Sequence, residues 1–97
     1  MPYYTLHYTL VPDYLARRPA LRAEHLALAE AYVARGALVL AGAYRDPSDG
    51  ALLVFEAEDE SVVEAFAKTD PYVRHGLVTA WRVREWVAVA GTGIKKA

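Results

Sequence analysis

Cysteine is absent from the 97 residues, so the chain has no disulfide framework, no thiolate nucleophile and no zinc–cysteine site. Serine occurs only as Ser48 and Ser61, both in turn or cap contexts, which argues against a serine nucleophile. Neither sign of charge dominates: eleven Lys and Arg stand against twelve Asp and Glu, for a formal net charge of −1. The basic stripe of a nucleic-acid binder is therefore missing, and no nucleic-acid partner is expected. No apolar run approaches the roughly 20 residues that cross a bilayer, so no membrane partner is expected either. The opening Met1-Pro2-Tyr3-Tyr4 lacks the basic-then-apolar pattern of a secretory signal, and the expected location is cytoplasmic. What the chain does have is apolar material, 55% hydrophobic and 11% aromatic, too much for a disordered segment. Its size fits one domain over residues 1–97, with a core at about 3–88 and a C-terminal tail at 89–97.

Residues 3–11 (YYTLHYTLV) read as a strand whose even positions, Tyr4, Leu6, Tyr8 and Leu10, form one apolar face. A helix is expected from about Pro19 to Arg35, with proline in its first turn and Gly36 as a left-handed stop. Its broad apolar side takes in Leu21, His25, Leu26, Leu28, Ala29, Tyr32 and Val33. Residues 37–45 and 51–58 read as strands joined by the turn Asp46-Pro47-Ser48-Asp49-Gly50. Asp59 or Ser61 can cap a short helix at about Glu60 to Lys68, which Thr69-Asp70-Pro71-Tyr72 breaks. After a loop to Gly76, residues 77–88 form the last strand. The order β-α-β-β-α-β predicts an α+β, ferredoxin-like fold: a four-stranded antiparallel sheet with two helices on one face. The second and third strands are apolar at nearly every position, and no element remains to cover the second sheet face. A homodimer through that open face, or a larger assembly built on it, is therefore expected.

Three features could carry chemistry. His25 falls on the apolar side of the first helix, where an imidazole needs a polar partner; taken alone, it reads as a core histidine bonded to a backbone carbonyl. Asp70 precedes proline at the end of the second helix, where its ordinary role is a turn bonding nearby amides. The two helices share one sheet face, so Asp70 could also reach His25, fix its tautomer and leave the other ring nitrogen free to move a proton. Arg17, Arg18 and Arg22 cluster at the start of the first helix. They read either as solvated charge that opposes the helix dipole or as an electropositive mouth for a carboxylated ligand. His7, His25 and His75 lack metal-ligand spacing, so neither metal nor other cofactor is expected. Tyr4, Tyr8, Tyr32, Trp81 and Trp86 read as core or dimer-face residues, some with hydroxyls lining a cleft.

Three segments in order, Arg18-Pro19-Ala20-Leu21-Arg22-Ala23-Glu24-His25-Leu26, Gly36 to Gly42 (GALVLAG) and Thr69-Asp70-Pro71-Tyr72-Val73 followed by Gly76-Leu77-Val78, resemble the YCII family, as does Trp86 near the end of the last strand. The resemblance spans residues 3 to about 88. It implies a ferredoxin-like dimeric α+β barrel with His25 and Asp70 at the positions of a histidine–aspartate active site. Arg18, Arg22, Gly42 and Tyr72 are the expected substrate-binding residues. Gly42 is followed by Ala43 and Tyr44 where the family usually has a proline after its glycine. The expected function is acid–base chemistry on a carboxylated or lactone small molecule, of lyase, dehalogenase or isomerase type. The alternative is a dimer that binds or senses a small molecule without turning it over.

Overall fold

The computed structural model describes residues 1–93 and orders them as β1 (Tyr3–Leu10), α1 (Tyr14–Arg17), α2 (Arg22–Ala34), β2 (Leu38–Ala43), β3 (Gly50–Glu56), α3 (Glu60–Thr69), α4 (Pro71–Arg74) and β4 (Val78–Trp86). Of the tail expected at 89–97, residues 94–97 lie outside the described residues. The four strands form one antiparallel sheet in the order β2-β3-β1-β4, the ferredoxin-like arrangement. No helix among the described residues is long and apolar enough to cross a membrane.

Register assigns the two faces. Leu6 pairs with Leu53 and Val83, and Tyr8 with Ala51 and Trp81, on the side that meets the helices. Side chains directly across a ladder share a face. Leu6, Tyr8 and Phe55 are fully buried there against Val63, Phe66 and Ala67 of α3. Phe66 is the hub: its ring meets Tyr32 of α2 at 5.0 Å and Phe55 of β3 at 5.2 Å, both edge-on. Edge-to-face pairs of this kind add about 0.5–1.5 kcal/mol beyond the burial itself.

The helix expected at 19–35 starts later, at Arg22, and the short α1 that precedes it was not expected. Pro19 has no N–H to donate back into α1, so the chain tightens into a 3₁₀ turn at Arg18–Ala20 before α2 begins at Arg22. The apolar side of α2 is also narrower than its sequence implies. Tyr32 is its only buried residue, while Leu26 and Val33 are exposed. The N-terminal half of α2 stands off β2, and a cavity occupies the space between them. The strands are shorter than expected by one or two residues at several ends, because the ladder stops where pairing does.

Two helix ends share one device. Gly36 has φ +77° and Gly76 φ +80°, values that L side chains rarely adopt. Past α2, the Ala37 amide donates to the Tyr32 carbonyl and the Gly36 amide to Val33; past α4, Leu77 donates to Tyr72 and Gly76 to Val73. Each is the paired closure of a left-handed helix stop, and the second holds the backbone of Tyr72 in place. Sequence reading used Pro71 only as a breaker and expected a loop to Gly76. Proline is equally suited to the first position of a helix, and Asp70 caps the helix that starts there.

Candidate functional site

Asp70 joins α3 to α4 and is completely buried. A buried carboxylate requires several donors, and three elements supply them. From α4, the Tyr72 amide donates to Oδ1 at 3.0 Å; from α2, His25 Nδ1 lies 2.8 Å from the same oxygen; from β1, the Tyr8 hydroxyl donates to Oδ2 at 2.7 Å. The local turn role and the long-range contact expected as alternatives for Asp70 thus coexist. A carboxylate only accepts, so Nδ1 carries the proton in this pair and Nε2 is the nitrogen left over. The imidazole is also stacked on the Tyr72 ring, at 3.8 Å and 5° between planes, which fixes its orientation from a second direction.

Above this pair lies a cavity of about 210 Å³ between α2, β2 and the α1–α2 junction. His25, Tyr8, Tyr14, Tyr72, Arg18 and Arg22 line it together with apolar positions of β2 and β3. An engineered cavity of about 150 Å³ admits benzene, so a substituted six-membered ring is the scale of ligand that fits. Of the expected site residues, His25, Arg18, Arg22, Gly42 and Tyr72 border the cavity, and Asp70 sits beneath it. Gly42 pairs with Leu52 in a register opposite to that of the Ala41–Leu53 and Ala43–Ala51 pairs, so only its backbone can serve the cavity. Arg17 turns away: it bonds the His75 carbonyl and lies 3.8 Å from Asp13. Among the described residues no group of three or more His, Cys, Asp or Glu side chains gathers to hold a metal.

Tyr8 is the residue that sequence reading assigned only to core or cleft. Its inward position on β1 signals burial, and a buried hydroxyl must find a partner; that the partner is Asp70, 62 residues away, is a matter of tertiary structure. Burial first, then the charge of Asp70 and the hydrogen bond to it, hold the Tyr8 hydroxyl far above the usual tyrosine range, so it stays a donor. Tyr8→Phe should therefore cost about 1.5–3 kcal/mol, the range for a hydrogen bond to a charged group. The same shift sets a pH dependence. The unfolded tyrosine ionises near 10.0 and the folded one higher, so this stabilisation is complete below pH 10 and declines as pH rises beyond it. Urea unfolding should show wild type losing stability faster than Tyr8→Phe above pH 10; parallel curves would show that Tyr8 is not held in this way.

A model of the YCII-related domain matches residues 1–87. Among solved structures, the chain resembles 5-chloro-2-hydroxyhydroquinone dehydrochlorinase from Burkholderia phenoliruptrix AC1100 in complex with 2,5-dihydroxybenzoquinone, at 26% identity over 88% of this chain and 93% of that one, with TM-score 0.74. Protein Atu4242 from Agrobacterium tumefaciens shares the fold at 10% identity over 98% and 100% of the two chains, with TM-score 0.64. So does PA3566 from Pseudomonas aeruginosa, at 18% identity over 92% and 95%, with TM-score 0.57. No curated protein matches the sequence. With a domain match over nearly its whole length and a ferredoxin-like sheet beneath it, the chain belongs to the YCII-related family.

Proposed function

We propose that this protein is an enzyme that moves a proton at a carbon next to a carbonyl or lactone of a small ring substrate, with His25 as acid–base group and Asp70 as its orienting partner. The observation that carries this reading is the 2.8 Å contact between His25 Nδ1 and Asp70 Oδ1 at the edge of a ring-sized cavity. In an elimination, Nε2 takes the proton from carbon while a halide leaves the neighbouring carbon with the bonding pair. The imidazolium then releases its proton to solvent. In an isomerisation, the same proton returns to a different carbon. Stacking on Tyr72 and the bond to Asp70 keep the ring aligned for either step. Similarity to a dehydrochlorinase supports the elimination chemistry, and the quinonoid ring in that complex matches the scale of the cavity.

The test is incubation of the purified protein with chlorinated and unchlorinated ring acids, lactones and hydroxyquinols, following chloride release and product formation. Turnover that vanishes in His25→Ala supports the reading. Binding without product across the panel would leave a sensing or binding module instead.

The open sheet face is proposed to cover a second copy. Leu40 (69% exposed) and Trp86 (48% exposed) stand on the side of the sheet that carries Thr5, Leu52 and Val54, away from the helices. Sedimentation at micromolar concentration should give a dimer that Leu40→Asp weakens; a single monomeric species would refute it.

A further inference from the structure

The polar atoms of the cavity wall are unequally satisfied. Asp70 has its three donors, but two buried donors on residues of the cavity lining, the Tyr72 hydroxyl and Arg18 Nε, have no hydrogen-bond partner among the described residues. Buried donors are rarely left unpaired. Tyr72 is only 3% exposed, and its ring lies flat on His25. Burial first, with Tyr14 adding to it and the nearby Arg22 and Arg18 charges opposing it, pushes the Tyr72 hydroxyl up to about 12, so near neutral pH it is a donor. Arg18 lies over the Tyr14 ring at 5.6 Å, and that ring meets Tyr72 edge-on at 5.9 Å. Neither Arg18 nor Arg22 forms a salt bridge among the described residues. The cavity lining contains these two guanidinium groups and no carboxylate. One wall is thus made of donors and positive charge, and the wall of Leu10, Ala41, Ala43, Ala51 and Leu53 is apolar.

From this arrangement we infer that Tyr72 and Arg18, with Arg22 at the rim, form a subsite for an ionised oxygen carried on a ring-sized ligand. The shared chemistry is an organic oxyanion, supplied either by a ring carboxylate or by an acidic enol or phenol. The inference rests on the proposed reading of the cavity as a substrate site and names the kind of substrate. An oxygen accepting from Tyr72 is held at the imidazole ring, because Tyr72 is stacked on His25. The subsite therefore places the anionic end of the ligand beside the proton-moving group, while the apolar wall takes the body of the ring.

The experiment is titration of the full-length protein by calorimetry, with side-chain NMR of His25, using three probes: benzoate for the carboxylate arm, 2,5-dihydroxybenzoquinone for the acidic enol arm, and neutral benzamide as the control. At least one anion should bind and perturb His25, and benzamide should not. Tyr72→Phe and Arg18→Met should each weaken the bound anion by about tenfold to a hundredfold, the range for losing a hydrogen bond to a charged group. Lys68→Gln, remote from the cavity lining, should leave binding unchanged. Equal binding of benzamide and the anions would overturn the inference. So would unchanged affinity in both variants, or no binding of either anion at about 10 mM, where even a millimolar site is mostly filled. The readout is binding, so failure of the acid–base reading, seen as absent turnover, is distinguishable from failure of the subsite.

Discussion

His25→Ala should lower turnover by about a hundredfold to ten-thousandfold on any substrate the protein converts, the usual contribution of one positioned acid–base group. The loss should fall on kcat more than on KM, because the proton moves in the transition state and not on binding. Asp70→Asn provides the second half of the test. It keeps the shape of the side chain but replaces one accepting oxygen with an NH₂, so either Tyr8 or the shared Oδ1 contacts of His25 and Tyr72 must rearrange. If His25 needs a fixed tautomer, this variant should lose most of the rate while staying folded. Steady-state kinetics with circular dichroism would settle it, and a His25→Ala variant with full kcat would remove His25 from the chemistry.

The largest effect on stability is expected at Asp70→Ala. Three donors on three elements converge on that side chain, and alanine leaves all of them without an acceptor. Breaking a buried charged contact costs about 3–5 kcal/mol. A small domain has only about 5–15 kcal/mol in total. The His25 side chain, 16% exposed, can turn to water most readily, whereas Tyr8 and Tyr72, 1% and 3% exposed, have little access to it. Urea denaturation should therefore place Asp70→Ala well below Asp70→Asn, which still offers one oxygen. Equal midpoints for the two would mean that the carboxylate holds nothing together.

The architecture was largely legible in the sequence, since alternation in β1 and the turn at 46–50 are short-range signals that survive folding. The candidate pair His25 and Asp70 was also readable there, though for different reasons. Periodicity alone put His25 on the inward side of its helix, but contact with a carboxylate 45 residues away was only allowed by two helices sharing a sheet face and favoured by family resemblance, not given by any local rule. The misses have physical causes. Pro19 and Pro71 each act in two directions, stopping the helix before them and starting a new one, and only tertiary context chooses. The wheel for α2 counts Leu26 and Val33 as apolar, yet a helix raised off its sheet leaves such residues uncovered. Tyr8 looked like packing material because its ring is; the hydroxyl at its tip makes the polar contact.

Because one carboxylate oxygen both caps α4 through the Tyr72 amide and grips His25, the start of that short helix and the imidazole cannot loosen independently. Exchange of the Tyr72 amide with deuterated solvent thus becomes a backbone gauge of whether the histidine is still in its seat, readable before any substrate is known.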